Sequence, residues 1–330
     1  MSALQAQTYS VAACQDQQTL AALLRGWLPG QSWSQVRKLV AARRVKINGE
    51  LWLDAARRLK HGDSVEVLPR AAPQPRLVDN IPIRHLDQHI VVVEKPAGVS
   101  TVRHPAEREW SQERRKLVPT LDDLVLRQIG LLPHKKSSGP RPRLRIVQRL
   151  DKETSGLVVF ARSVEGERGL GKQFRRHTVT RKYLAIVPGI MPARTIKSHL
   201  VRDRGDGRRG SFHPSASLPA ERKVGKEAIT HIDVVERLPG YTVVSCRLET
   251  GRTHQIRIHL AEAGHPVCGD KVYRGRIGRP PVEDTSGAPR LALHAAELGF
   301  VHPITGEAMR WEMPLPPELC EFLDRLRAEE

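Results

Sequence analysis

The residues that invite a chemical reading are Arg149-Leu150-Asp151-Lys152-Glu153-Thr154-Ser155-Gly156. An Asp stands in a turn dense with Thr, Ser and Gly, directly before the apolar run Leu157-Val158-Val159-Phe160. That order puts a carboxylate at the mouth of a sheet, inside the most basic stretch of the chain. Two explanations stand side by side. The Asp side chain can accept backbone N–H groups in an Asx turn or a cap. Alternatively it is a reactive group. A carboxylate among Arg and Lys repels nucleic-acid phosphate, so its place in a polyanion-binding stretch asks for a purpose, and attack on a nucleoside is one.

Other patterns carry less. Gly166 to Gln173 (GERGLGKQ) nearly matches a phosphate-binding G-x-x-x-x-G-K-[ST] loop. Gln173 stands where a hydroxyl would ligate Mg²⁺, and no later apolar strand ends in an Asp suited to share the ion. Nucleotide hydrolysis is therefore disfavoured, and Lys172, with Arg175 and Arg176, reads as basic surface. His254 and His259 are five residues apart and point in different directions on a helix. No H-E-x-x-H accompanies them, so a structural or RNA-facing role is expected and no metal site. There is no G-x-S-x-G elbow of a serine hydrolase. The four cysteines, Cys14, Cys246, Cys268 and Cys320, lie too far apart for a C-x-x-C knuckle and suggest thiols in a reducing cytoplasm.

Charge narrows the partner. The 330 residues carry a net +18, and the excess is local. Residues 131–210 hold 20 Lys and Arg against 6 Asp and Glu, whereas residues 281–330 hold 4 against 10. Such a field attracts polyanions and speeds their encounter. Aromatic residues are only 4% of the chain, which disfavours a single-strand binder built on stacked rings. No apolar run is long enough to span a membrane, and the first residues lack the pattern of a secretory signal.

The elements that would position these groups can be read from periodicity. Leu20, Leu23, Leu24 and Trp27 form a helical stripe that Pro29-Gly30 ends. A second helix is expected with Ser34 as its cap and Val36, Leu39 and Val40 inside, leaving Arg37, Lys38, Arg43 and Arg44 on its outer face. Asn48-Gly49 between apolar stretches signals a hairpin, and a last strand runs from Ser64 to Leu68. Residues 69–82 are Pro-rich and aperiodic, as in a linker. Beyond them the strand candidates are Ile90–Glu94, Gly156–Ala161, Tyr183–Val187, Ala228–Val235 and Tyr241–Leu248. Thr253–Ala263 reads as a helix stopped by Gly264. Strands and helices do not alternate strictly. An α+β fold is expected, with a mixed, largely antiparallel sheet, flanking helices and a small helix–hairpin module in front.

Several blocks, taken in order, resemble the RluA-type pseudouridine synthases, enzymes that isomerise uridine in RNA. They are VVVEKPAGVS (91–100), RLDKETSGLVVFAR (149–162), RKYLAIVPG (181–189), TGRTHQIRIHLAEAGHPVCGDKVY (250–273) and LALHAAELGFVHPITGE (291–307). Residues 19–68 resemble the S4 RNA-binding module that often precedes that catalytic domain. The resemblance implies three parts: an S4-like domain over 1–70, a linker over 71–82 and a catalytic domain over 83–330. It implies that Asp151 is the catalytic aspartate and that Arg257 pairs with it. Tyr183 would stack against the target base, Arg149 would fill the space a flipped nucleotide leaves, and Leu293 would pack near base and tyrosine. Arg37, Lys38, Arg43, Arg44 and Lys172 are further RNA-contact candidates. Gln148 departs from the family's usual histidine, and Arg274 interrupts its usual glycine. The stretches 103–145 and 202–222 match poorly and are where substrate choice would differ.

The reading that follows is an RNA uridine isomerase, cytoplasmic and monomeric, that needs no metal, cofactor or nucleotide. Its substrate would be ribosomal RNA, with tRNA second. The competing reading is a non-catalytic RNA-binding protein that keeps the fold and assists ribosome assembly; the intact set Asp151, Tyr183 and Arg257 favours the enzyme.

Overall fold

A computed structural model describes residues 6–72, 80–107, 110, 115, 118–130, 144–212, 225–276 and 278–328. The chain forms two compact units, residues 1–77 and 78–330. The middle of the expected linker, 73–79, lies outside the described residues, as do large parts of the two poorly matched stretches.

The first unit is a four-stranded sheet with two helices. Its strands are β1 (Gln7–Ser10), β2 (Val45–Ile47), β3 (Glu50–Leu51) and β4 (Ser64–Val67), in the order β1-β4-β2-β3. Helix α1 (Leu20–Trp27) buries Leu20, Leu23 and Leu24, while Trp27, half-buried, packs against that core and stacks on Tyr9. Helix α2 is Trp33–Ala41, and the sequence reading errs at both its ends. Ser32, not Ser34, is the cap: its hydroxyl accepts the Gln35 N–H while the Gln35 side chain accepts the Ser32 N–H. A hydroxyl can cap only from outside the first turn. Ala41 ends the helix, so Arg43 and Arg44 follow it rather than line its outer face. Arg43 takes a left-handed φ of 58°, and the two guanidinium Nε–H groups donate to the carbonyls of Ala72 and Leu68. They tie the module's last strand and exit to the end of α2. Arg37 and Lys38 are exposed. Asn48 and Gly49 both have positive φ, as a two-residue hairpin requires.

The second unit is built on an eleven-stranded sheet. Its strands are β5 (Ile83–Leu86), β6 (Ile90–Lys95), β7 (Arg145–Ile146), β8 (Ser155–Ala161), β9 (Thr180–Pro188), β10 (Arg194–Val201), β11 (Gly210–Ser211), β12 (Lys226–Leu238), β13 (Tyr241–Leu248), β14 (Leu293–Val301) and β15 (Ala308–Glu312). The main order is β11-β10-β12-β13-β9-β14-β8-β6-β5, with β15 on β14 and β7 on β8. Among the described pairs only β14 with β8 is parallel, so the sheet is mixed and largely antiparallel and the fold is α+β. The helices are α3 (Leu121–Gln128), α4 (Val164–Arg175), α5 (Gln255–Glu262) and α6 (Pro317–Ala328). None of the described helices is long and apolar enough to cross a membrane.

One main core spans the sheet from Val91 and Val93 on β6 to Val243 and Val244 on β13, and takes Leu319, Phe322 and Leu326 from α6. A smaller core beneath the other face joins Leu157 and Val159 to Leu170 of α4 and Phe300 of β14. Strand β8 is buried along its whole length because it has a core on each face. This explains why its sequence is a continuous apolar run rather than an alternation. The segment 166–173 that resembles a phosphate loop lies inside α4. Gly166 is there because a Cβ would meet the His89 carbonyl, and Gln173 bonds the backbone of Val301.

Gly156 stands opposite Ala295 in the parallel pair. It has φ of +125°, and a Cβ on it would overlap the backbone and side chain of Ala295. Gly156→Ala is therefore expected to destabilise the second unit by about 2 kcal/mol or more, read as a lower urea midpoint with unchanged slope.

Candidate active site

A cleft of about 850 Å³ opens in the second unit, lined by residues from 100–107, 146–154, 174–183, 248–257 and Leu293. Seven Lys and Arg side chains and two carboxylates, Glu107 and Asp151, belong to its described lining. The field in it is thus strongly positive around a nearly isolated acid.

Asp151 sits on the loop between β7 and β8, and that loop is held from behind. The Thr101 hydroxyl donates to the Leu150 carbonyl and accepts the Leu150 N–H, at 2.8 and 3.1 Å. The Gly98 N–H and the Lys95 ammonium both donate to the Lys152 carbonyl. Thr154 N–H closes the turn on the Asp151 carbonyl. Every one of these contacts uses backbone, so the Asp151 side chain is left facing the cleft, 23% exposed. Its carboxylate is not consumed by an Asx turn, the alternative that the local pattern allowed.

Arg257 comes from the first turn of α5. Its Nε and Nη2 donate to the two carboxylate oxygens of Asp270 at 2.7 and 2.8 Å, and Nη1 lies 3.5 Å from Asp151 Oδ2. Asp270 is completely buried and also accepts the backbone N–H groups of Val272 and Tyr273. Burial disfavours the Arg257 charge, but Asp270 and then Asp151 outweigh it, and the guanidinium is held protonated more firmly than usual. Arg257 is therefore a fixed positive charge, and only one of its nitrogens is free to face Asp151.

Tyr183 lies on β9, buried between Cys246 of β13 and Ala295 of β14 in the sheet register, with its ring in the cleft wall. Burial pushes its phenol above the ordinary range, so it is neutral. Leu293, at the start of β14, supplies another apolar wall. Arg149 is exposed at the cleft, two residues from Asp151. The structure thus brings Asp151, Arg257, Tyr183, Arg149 and Leu293 together. Lys172 is exposed on α4 and does not line the cleft, while Arg175 and His177 from the end of the same segment do.

The sequence reading missed four supports. Asp270 and Tyr273 were visible only as members of a matched block. The signal that would have found Asp270 is that a buried Arg257 must have a carboxylate partner. His254, read as structural or RNA-facing, sits in the left-handed region at φ 60° and points its ring into the cleft. Its Nε2 is 3.8 Å from Asp151 Oδ1, and its Nδ1 shares a 2.8 Å hydrogen bond with the Tyr273 hydroxyl. His259 has a different place, buried between Thr230 and Ser198 and kept neutral by desolvation down to about pH 4. Gln148 is buried; its amide N–H reaches the Leu157 carbonyl, and its Oε1 has no partner among the described residues. Arg274 donates to the Val282 carbonyl, which folds the chain after the Asp270 turn. Among the described residues no three His, Cys, Asp or Glu side chains converge as a metal-binding set.

Lys95 is the fourth support. Its ammonium is fully buried at the end of β6, and desolvation lowers its pKa to about 7. A lysine depressed in the folded state binds fewer protons than in the unfolded chain between about pH 7 and its ordinary value of 10.5. Its contribution to stability therefore rises with pH across that window. Urea unfolding at several pH values is expected to show this rise in the wild type, and Lys95→Met should lack that component.

Comparison with known proteins identifies the family. The family described as RNA pseudouridylate synthase matches residues 89–262, and the S4 domain matches residues 19–65. A relative from Haemophilus influenzae, "Ribosomal large subunit pseudouridine synthase D", is 34% identical over 94% of this chain and 91% of its own length. A protein of the same name from Neisseria meningitidis is 39% identical over 78% of this chain, and the match spans 63% of that longer protein. Among solved structures, human RNA pseudouridylate synthase domain containing 1 is 26% identical with a TM-score of 0.53, covering 78% of this chain and 98% of that one.

Proposed function

The chain belongs to the RNA pseudouridylate synthase family with an S4 domain in front, and from that premise we propose that it isomerises uridine in ribosomal RNA of the large subunit, in the cytoplasm, with Asp151 as the reacting group. The single observation that carries the assignment is the Asp151 carboxylate, left bare at a cationic cleft and faced by the one free nitrogen of Arg257.

Pseudouridine formation breaks the N1–C1′ bond, turns the uracil and joins C5 to C1′. C5 loses a proton and N1 gains one, so atoms and electrons balance without an oxidant or a phosphate donor. The base must first leave the RNA stack, at a cost of a few kcal/mol. Arg149 at the rim is placed to occupy the vacated space, and the surrounding cations offset that cost through the phosphates. The neutral Tyr183 ring and Leu293 offer the base an apolar slot beside Asp151. Glycosidic cleavage then starts from the carboxylate, either by attack on C1′ or by removal of the C2′ proton. Both routes need an anion on Asp151, and the Arg257 charge lies where it stabilises that anion. Arg257 itself cannot drift toward RNA phosphate, because Asp270 holds its other two nitrogens.

The test uses the full-length chain and an in-vitro transcript of large-subunit ribosomal RNA carrying tritium at uridine C5. Tritium release and a mapped pseudouridine are expected with the wild type. Asp151→Ala should release none while its RNA Kd stays within about twofold. A wild type that binds the transcript and releases nothing would favour the non-catalytic assembly protein. The first unit gives a separate expectation. Removing residues 1–77 should weaken RNA affinity and flatten its salt dependence, while circular dichroism shows the second unit still folded.

A further inference from the structure

Resting on that assignment of Asp151, we propose that His254 is a positioning residue for the reacting carboxylate: Tyr273 orients its imidazole, and the ring donates to Asp151 Oδ1 while Arg257 addresses Oδ2.

The argument begins with the backbone. His254 precedes α5, yet its side chain does not cap the helix. It takes φ 60°, a conformation that costs a side-chain-bearing residue free energy and persists where surrounding contacts enforce it. Those contacts are on the ring. Tyr273 is buried, and burial pushes its phenol up to about 12, so it keeps its proton and has one to give. Donated to His254 Nδ1 across 2.8 Å, that proton fixes the tautomer in which Nε2 carries the ring hydrogen. Nε2 then faces Asp151 Oδ1 at 3.8 Å. This is longer than a hydrogen bond in the free enzyme, like the 3.5 Å from Arg257 to Oδ2, and both close when substrate expels water from the cleft.

The charged and titratable groups facing the ring are Asp151, Arg257, Asp270, Arg209 and the Tyr273 phenol. Desolvation lowers the imidazole pKa below 6.5, which Asp151 only partly opposes, so the ring is a neutral donor at neutral pH. The geometry gives this a purpose. Asp270 and Tyr273 stand on one turn, and Arg257 and His254 stand on one turn of chain at the start of α5. The first turn thus sets both donors, one for each oxygen of Asp151, and leaves only the outward lone pairs for the nucleotide.

Three variants separate this role from a structural one. His254→Asn keeps a residue suited to positive φ and a contact for Tyr273, but deletes the atom facing Asp151. It is expected to fold, to bind the tritiated transcript within about twofold of wild type, and to lose at least about tenfold in kcat. The acid limb of its pH–rate profile should move to higher pH, because a donor favouring the ionised carboxylate is gone. His254→Gln restores an N–H near the Nε2 position and should recover part of the rate. Tyr273→Phe should lower kcat with KM unchanged. An arm without RNA follows the His254 ring by ¹⁵N NMR in the free full-length chain: the Nε2–H tautomer is expected, and Asp151→Asn should move its titration to lower pH. Full activity in His254→Asn, an unmoved acid limb, or a titration indifferent to Asp151 would overturn the proposal. A wild type inactive on the transcript would count against the proposed function instead, and the NMR arm would then decide the placement of His254 alone.

Discussion

Asp270 grips Arg257 through two parallel hydrogen bonds in a site with no exposure on the Asp270 side, and the rest of the cleft is arranged around that pair. A buried ion pair adds little net stability compared with apolar packing, but removing either partner strands a charge. What it supplies here is placement. With Nε and Nη2 committed, the guanidinium can present only Nη1, and the direction of that nitrogen determines where an anion on the β7–β8 loop is favoured. The backbone N–H groups of Val272 and Tyr273 hold Asp270 in turn, so the orientation of the cleft's central charge rests on a four-residue turn.

The sheet delivers the remaining groups to that point. Strand β8 starts immediately after the Asp151 loop, β9 carries Tyr183 and β14 carries Leu293. The parallel contact of β8 with β14 at Gly156 brings the loop close to β14 because no side chain intervenes. Opposite them, α5 enters with His254 and Arg257 on its first turn, held through Gln255, which bonds Ile229, Thr230, Thr250 and Arg252 together. Behind the loop, the buried Lys95 gives its protons to carbonyl oxygens and takes no carboxylate. That spends a charge's solvation on fixing the backbone of the loop, and it leaves the Asp151 carboxylate to Arg257 and His254.

Charge is distributed by function rather than evenly. Several buried arginines meet acids, as Arg204 does with Asp206 and Glu262, and serve the fold. Arg181 in the cleft wall donates to the carbonyls of Leu248 and Glu249 and lies over the Phe174 ring, with no carboxylate partner among the described residues, and desolvation lowers its pKa, so it carries charge that an RNA phosphate would relieve. Exposed Arg37 and Lys38 on the first unit extend the same positive character onto a separately folded module.

The sequence by itself determined the fold class, many of the strand positions and the Asn48-Gly49 hairpin, and it singled out Asp151, Tyr183 and Arg257, which the structure brings to one cleft. These are written in local terms: a continuous apolar run, a two-residue turn, a polar turn before a strand, and blocks whose order resembles a family. It erred at the ends of α2, where Ser32 and Ser34 look alike until the first turn is built. It disfavoured a phosphate loop at 166–173 through Gln173 but gave no reason for the glycines there, because they answer to His89 and Pro303, distant in sequence. Only the tertiary structure decided that Asp151 faces a cleft instead of closing its own turn, that Asp270 rather than Asp151 takes both arms of Arg257, and that His254 leaves the helical conformation to reach Tyr273. Each of these is a competition for hydrogen bonds among groups far apart in the chain. Such a competition is settled by distance and burial, and neither is defined until the sheet has brought the partners together.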